Sequence, residues 1–544
     1  MNSTRRAFFV ETRDIHYIRS TMESYDGMAL VRTVDPGPEA LLEVMIAPGC
    51  EEQVMALVQG LEHEEGIPMS PAANPCATPK HAASRNPSGV KRYAVLTMGC
   101  QMNEYDSEYA QRCLDRAGFR PAPAPQDADF VLINTCSVRE KAEQKAMSTL
   151  GRMISIKRRK PGMIIAFAGC VAQQQGSALL ERFPALDLVV GTRRIHRIAY
   201  LVERLMSTGE RLVDTALETE EILTAPPAAC EDGTGVKGFI TIMQGCNNYC
   251  SYCIVPYVRG REVSRPPEAI LQEAEDLIGR GAREITLLGQ NVNSYLWRMG
   301  GERVDFPGLL RRIDSISGLK RLRFTTSHPK DLTGDLIRSF SELKNLCGHI
   351  HLPFQAGSNE VLRRMNRKYT REEYLELVAR LREVCPGIGI TADVMVGFPG
   401  ETARDFHDTM SLIENVRFDN LYSFKYSDRQ GTAASGFADK IDEAVKTDRL
   451  SLLQGLQKQI TLENNRALEG TEMEVLVEGP SKKGDQSTGR SDCNRVVNFD
   501  LKTKNIGDLV KVKIKEGRAN SLLGEAIVMS INRAASTACR REDS

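Results

Sequence analysis

The sequence has no surplus of charge of either sign: Lys plus Arg and Asp plus Glu both total 71. A balanced chain carries no bulk field that would draw it as a whole onto a polyanion, so any nucleic-acid surface must be local. Long apolar runs are missing as well. No stretch approaches the roughly 20 apolar residues of a membrane span, and the first residues, MNSTRRAFFVETRD, contain no apolar segment of export length. The expectation is a cytoplasmic protein with no membrane partner. Cysteine, by contrast, is plentiful, with 14 residues. They are too diluted for the disulfide scaffold of a small secreted domain, and in a reducing compartment clustered thiols are metal ligands or redox groups more often than cross-links.

At 544 residues the chain exceeds one ordinary core, and about 100 to 200 residues per domain implies three or four units. Residues 1–67 read as a small α+β module of the split βαβ kind: strand AFFV, helix DIHYIRSTMESY, strands MALVRTV and LLEVMIA, helix EEQVMALVQGLEHEE. A Pro-, Ala-, Ser- and Asn-rich linker follows at 68–89. From 90 to 210 the strands RYAVLTM, DFVLIN, MIIAFA and LDLVVG alternate with helical stretches, which predicts an open parallel α/β domain. A second αβ series spans 232–464, with strands FITIMQ, EITLLGQ, RLRFTT, HIHLPFQ, ITADVMVG and LYSFKY. Six such repeats predict a partial (β/α)6 barrel or a complete one, with its chemistry at the carboxyl ends of the strands. Residues 467–532 carry short strands that read as a small β-barrel.

Two sets of cysteines fall at those strand ends. Cys246, Cys250 and Cys253 form a Cys-x-x-x-Cys-x-x-Cys loop after the first strand of the barrel series. Three thiolates in one tight loop suit three irons of a cubane cluster, leaving the fourth iron open to a small molecule. A structural zinc site ordinarily needs a fourth ligand, and no further Cys or His stands nearby. Cys100, Cys136 and Cys170 each follow one of the first three strands of the α/β domain, in MGCQMN, NTCS and AGCV. That edge is where open α/β sheets bind ligands, so the three can converge on one crevice; the bland alternatives are packed thiols or a redox pair. Cys113, Cys347 and Cys385 belong to helical stretches and read as packing or inert thiols, and Cys50, Cys76, Cys230, Cys493 and Cys539 stand alone. His328, His349 and His351, near strand ends, read chiefly as framework histidines.

The run GCNNYCSYCIVPYVRGREVSRP, together with MGCQMNEYDSE, INTCSVRE, LLGQNVNSY, TTSHPKDLT, HLPFQAGSNEVLRRMNRKYTREEY and DVMVGFPGET, resembles the radical-SAM methylthiotransferases (SAM is S-adenosylmethionine). The likeness covers about residues 90–530 and is greatest to the branch acting on isopentenylated adenosine in transfer RNA. It implies two 4Fe-4S clusters. Cys246, Cys250 and Cys253 would hold the one that binds and cleaves SAM, and Cys100, Cys136 and Cys170 an auxiliary one that carries a methylated sulfur. The implied reaction is methylthiolation of carbon 2 of the isopentenylated adenosine beside the anticodon, with SAM as both radical source and methyl donor. Carbon 2 offers no acidic proton, so no side chain is nominated as a catalytic base. The resemblance further implies SAM contacts at Tyr252, Gln290, Asn291, Gly397, Gly400 and Glu401, and an electron donor of the flavodoxin or ferredoxin kind; a monomer is expected, and nothing identifies the sulfur source.

The last segment resembles a TRAM domain, a small RNA-binding barrel, through VEGPSK and GRSDCNRVVNF. From Glu469 to Met529 it holds ten basic and ten acidic residues, but Lys511, Lys513 and Lys515 alternate with Val510, Val512 and Ile514 and so share one strand face. That face is expected to meet RNA phosphates, or else to protect a sheet edge. Arg152 and Lys157 to Lys160 form a second candidate basic region. Sister branches that modify a ribosomal-protein aspartate or threonylcarbamoyl-adenosine are the alternatives, and an RNA-binding iron-sulfur sensor is a rival of another class. Residues 1 to about 88 and the YSDRQGTAAS segment depart from the family pattern.

Overall fold

The computed structural model describes residues 4–11, 14–15, 18, 29–35, 39–47, 49–63, 67–71, 91–137, 140–217, 235–299, 301–481, 486–500 and 506–527. Most of the first expected helix, most of the linker, and Cys76, Cys230 and Cys539 lie outside them. Residues 1–89 and 90–544 form two compact units.

In the first unit, strands Thr4–Glu11, Ala29–Asp35 and Glu39–Ile46 pair antiparallel, and helix Glu51–His63 buries Val54, Val58 and Leu61 with Phe8, Leu42 and Val44. Ser70 and Pro71, expected to open the linker, instead form a fourth strand against Phe9 and Phe8. Two residues are too few to show periodicity, which is why composition alone assigned them to a loop.

In the second unit, strands Arg92–Met98, Phe130–Thr135, Ile164–Gly169 and Leu188–Val190 form the expected parallel sheet. Every residue of the two middle strands is buried, as befits a parallel sheet covered on both faces. Arg120–Pro121 and Leu212–Asp214 extend its edges, so the sheet has six strands.

The barrel series follows as six parallel strands: Lys237–Thr241, Glu284–Leu288 and Arg321–Phe324 in one run, His349–His351, Gly389–Val396 and Asn420–Lys425 in the other, joined by the bridge Leu322 to Leu346. Helices Arg371–Val384 and Ala403–Val416 begin at capping boxes, Thr370 with Glu373 and Thr402 with Asp405, which fix where each connection ends. The long helix Glu443–Arg466 leads to a closed five-stranded barrel, Glu472–Pro480, Ser487–Ser491, Val496–Phe499, Leu509–Gly517 and Leu522–Ala526.

This small barrel sits on the amino-terminal ends of the larger barrel's strands. Arg321 donates to the carbonyls of Arg490 and Glu474, and Arg323 donates to those of Ser491 and Asp492, both at 2.8 Å. Lys237 pairs with Glu478 at 2.6 Å. The opposite, carboxyl-terminal mouth of the strands is left to the chemistry.

Candidate functional site

The parallel register aligns Met98 with Thr135 and Thr135 with Gly169, so the residues just beyond these strands meet at one edge. Cys100 caps helix Gln101–Arg116, Cys136 follows its strand directly, and Cys170 opens helix Cys170–Gln175. The approach is close enough to demand glycine: at Gly169, with φ +92°, an added Cβ would lie 2.3 Å from the Thr135 carbonyl. Buried amides hold the edge, with Asn103 Nδ2 donating to Asn134 Oδ1 at 3.1 Å and Asn134 Nδ2 to the Asn103 carbonyl at 2.9 Å.

The three thiols interact. Cys136 is the shared donor, its own ionisation pushed up by Cys100 and Cys170 on either side. Its hydrogen bonds, aided by the Arg259 charge, bring both Cys100 and Cys170 down to about 6. The structure therefore brings together residues 70 positions apart and supplies a buried cation to offset anionic sulfur.

The second trio is built on Gly245, whose φ is +83° and where an added Cβ would lie 2.1 Å from the Arg261 carbonyl, which excludes a side chain. Its N–H donates to Gln290 Oε1 at 2.6 Å. The loop is tied across the mouth to 365–367: Ser251 N–H donates to the Met365 carbonyl, and Arg367 donates to Cys250 Sγ at 3.4 Å, the Tyr369 hydroxyl at 3.0 Å and the Pro353 carbonyl at 3.1 Å. Burial pushes Cys246 up to about 11 and Cys253 up to about 12, so ligation there would release protons.

The helix Val255–Arg259 joins the two trios. Ile254 and Val258 pack on Cys170, Thr192 donates to the Val258 carbonyl at 2.6 Å, and Arg259 pairs with Asp106. On the other side Met102, Tyr105 and Cys100 pack against Leu288 and Phe239 of the larger barrel. Neither Arg259 nor Arg367 was singled out from the sequence, although VPYVRGREVSRP and MNRKYT contained them; their importance lies in tertiary neighbours.

Among the described residues no three His, Cys, Asp or Glu side chains converge on a single metal ion. A cubane cluster asks for something else, one thiolate for each of several separate irons, and two sets of three thiols answer that description. The mouth of the barrel fits a polar ligand. Gln244 Oε1, Asn291 Oδ1, Ser327 Oγ and His328 Nε2, all buried just past strand ends, have no hydrogen-bond partner among the described residues. Such groups cost about 1–3 kcal/mol each when left unpaired, so together they describe a surface made to be satisfied by a bound molecule.

Of these four only Asn291 was expected from the sequence to meet SAM, and the expected contacts are placed as follows. Asn291 Nδ2 donates to Asp331 at 2.7 Å, leaving its oxygen free for a ligand. Gln290 is engaged with Gly245. Glu401 is held by the Gly397 N–H at 3.0 Å and by Arg449 at 2.6 Å, and the Gly400 N–H donates to the Asp439 carbonyl. Tyr252 packs against the barrel core. His349 and His351 share the Thr391 hydroxyl, at 3.1 and 3.0 Å. Cys493 is not isolated: its Sγ lies 3.2 Å from Ser491 Oγ, where the small barrel meets the large one.

Lys511, Lys513 and Lys515 are exposed on one face. Across the strands Lys511 faces Glu474, Lys513 faces Glu472 and Glu525, and Lys515 pairs with Glu525 at 2.6 Å. In the other basic region Lys157 and Lys160 are engaged by Asp187 and Asp129.

Comparison with known proteins follows the same divisions. Residues 240–413 match the radical SAM superfamily, 92–191 the uncharacterized protein family UPF0004, 466–527 the TRAM domain, and 8–64 a domain of unknown function, DUF4911. Proteins named tRNA-2-methylthio-N(6)-dimethylallyladenosine synthase are 50% identical over 438 residues in Syntrophus aciditrophicus and 53% over 436 in Syntrophobacter fumaroxidans, in each case 80% of this chain and 95% of the relative. The one from Desulfosudis oleivorans is 48% identical over 459 residues, 80% of this chain and 97% of its own. With two cysteine trios, a polar barrel mouth and this extent of identity, the chain belongs to the radical-SAM tRNA-2-methylthio-N(6)-dimethylallyladenosine synthase family.

Proposed function

We propose that this protein is the enzyme that converts isopentenylated adenosine in transfer RNA to its 2-methylthio derivative, with two 4Fe-4S clusters and SAM as cofactors. The observation that carries the reading is the meeting of two separate cysteine trios across one short helix, Val255–Arg259, at the mouth of a radical-SAM barrel. When bound, the clusters supply the electron that cleaves SAM and the sulfur that is transferred.

The chain's residues do the positioning. Cys246, Cys250 and Cys253 would hold the first cluster and Cys100, Cys136 and Cys170 the second. Arg367 offsets thiolate charge at the first, and Arg259 does so at the second. Gln244, Asn291, Ser327 and His328 offer the hydrogen-bonding atoms for SAM, with Tyr252 and the Gly397–Glu401 loop shaping the pocket. In this division of labour residues 90–210 carry sulfur, 232–464 generate the radical, and 467–532 bind RNA, with Lys511 and Lys513 at phosphates. The enzyme acts as a cytoplasmic monomer fed by a flavodoxin- or ferredoxin-like donor. Among the described residues no helix is long and apolar enough to cross a membrane.

The test is anaerobic reconstitution with iron and sulfide, followed by incubation with SAM, reductant and isopentenylated RNA and mass analysis of the nucleosides. Replacing Cys100, Cys136 and Cys170 by Ala should keep 5′-deoxyadenosine formation and abolish methylthiolation, whereas replacing Cys246, Cys250 and Cys253 should abolish both. Methylthiolation of protein and not RNA would overturn the assignment.

A further inference from the structure

Tyr249 and Tyr257 stand out because, among the described residues, neither hydroxyl has a hydrogen-bond partner and each ring's aromatic neighbour is the other. They are 41% and 49% exposed, and they contact each other edge to face with centroids 6.2 Å apart. Tyr249 precedes Cys250, and Tyr257 lies one turn beyond Cys253 on the helix that packs against Cys170. The pair therefore lies at the seam between the two trios. Single exposed aromatics occur elsewhere on the chain, but here two touch each other beside both cysteine trios, which makes the pair a candidate binding surface.

The backbone points the same way. Tyr249 adopts φ +48°, a conformation costly to a bulky residue, and Asn366 sits at φ +58°, which asparagine tolerates. The two hold each other: Asn366 Nδ2 donates to the Tyr249 carbonyl at 2.9 Å and to that of Asn248 at 3.3 Å. Asn366 Oδ1 in turn accepts from Lys368 Nζ at 2.6 Å, so the same amide links an exposed cation to the backbone of Tyr249. Asn366 thus holds the left-handed backbone that carries the exposed Tyr249 ring and anchors the Lys368 ammonium on its other side.

Exposed aromatic rings with an adjacent cation are the combination that binds unpaired nucleotides, the base stacking on the ring while the cation meets the phosphate. We propose that Tyr249 and Tyr257 form a stacking platform for an unpaired base of the RNA loop neighbouring the target adenosine, with Lys368 at its phosphate. The proposal rests on the function argued above and adds how the loop is held beside the two cysteine trios. A target base can reach a buried reaction centre only if its loop is opened, and a platform at the rim keeps the loop open by replacing the lost stacking.

The test measures affinity of the full-length reconstituted protein for a fluorescent anticodon stem-loop by anisotropy. Tyr249→Ala with Tyr257→Ala should weaken binding roughly ten- to a hundred-fold, and the double Phe variant should retain it. Tyr249→Gly is the decisive single change. It relaxes the backbone at φ +48°, so the melting temperature should not fall, yet affinity should drop. Iron content serves as the folding control, and Tyr200→Ala, another exposed tyrosine at 52%, should change nothing. Unchanged RNA affinity in the double Ala variant would overturn the proposal, as would a defect that appears only when a protein reductant replaces dithionite, which would make the pair a reductase surface. If wild-type protein binds the loop through these tyrosines but forms no methylthio nucleoside, the platform stands and the functional reading falls.

Discussion

Arg259 and Asp106 form an ion pair of 2.8 Å with side chains only 3% and 4% exposed, and, beside the hydrogen bonds from Cys136, the Arg259 guanidinium also acts on the Cys100 and Cys170 thiols, lowering both. The pair fastens helix Gln101–Arg116 to helix Val255–Arg259, and so fastens one trio to the other. A buried pair of this kind seldom adds net stability, because desolvation consumes most of the Coulombic gain. Its retention is better explained by the charge it places beside sulfur.

That explanation separates stability from cluster loading. Arg259→Ala should destabilise the protein by about 3–5 kcal/mol, since Asp106 stays buried and unpaired. The apolar double variant Asp106→Leu with Arg259→Met should recover most of the stability, yet load about half the iron of the wild type, because the auxiliary thiolates lose their cation. Iron and sulfide determination beside a thermal melt checks both outcomes. Full iron loading in the double variant would show that Arg259 serves packing alone.

Arg323 predicts how the small barrel is held. It pairs with Glu284 at 2.9 Å and donates to the carbonyls of buried Ser491 and of Asp492. Arg323→Ala leaves Glu284 with only the distant Lys237, and two carbonyls without their donor at the interface, so the small barrel should loosen while the larger barrel stays folded. Limited proteolysis should then cut between about residues 464 and 472, where wild-type protein resists. An unaltered cleavage pattern would show that Arg321, Lys237 and Arg495, which pairs with Asp419 beside the last large-barrel strand, suffice.

How much of this was legible in the sequence depended on the range of the interactions. The six barrel strands and the four main strands of the α/β sheet showed as apolar runs, and the cysteines showed because metal ligation needs particular residue types at strand ends. Leu212–Asp214 and Ser70–Pro71 are too short to carry a period. Ser487–Ser491, with sequence STGRS, forms a barrel strand by burying small residues, a pattern that hydrophobicity does not reveal. Arg259 and Arg367 stood inside quoted motifs, but their partners Asp106 and Cys250 lie 153 and 117 residues away. The lysine stripe was legible; the glutamates opposite it depended on strand register.

Two histidines set an acid limit. Burial, with help from Arg367, lowers His328 to about 2, and burial beside Arg323 lowers His349 well below its ordinary value. Each is neutral when folded but takes up a proton below about pH 6.5 when unfolded. The unfolded state then binds more protons, so stability falls as pH drops below that point, by at most about 1.4 kcal/mol per pH unit for each histidine. Between pH 6.5 and 5, above the range of ordinary carboxylates, the double variant His328→Gln with His349→Gln should show a flatter decline in melting temperature. Parallel curves would assign the acid sensitivity elsewhere.

The salt dependence of RNA binding decides the role of the lysine face. Lys515 is paired with Glu525, and as a half-exposed pair it costs little to open. Lys511 and Lys513 make no ion pair among the described residues, although Glu474 and Glu472 face them across the strand. If both meet phosphates, Lys511→Ala with Lys513→Ala should reduce the slope of log affinity against log salt by about 1.5, at roughly 0.7–0.9 per contact. Removing Glu472 and Glu474 should have the opposite sign, raising affinity at low salt by relieving repulsion of the backbone. A slope unchanged in the lysine variant would leave edge protection as their purpose, because a lysine that only blocks strand pairing releases no counterion when RNA binds.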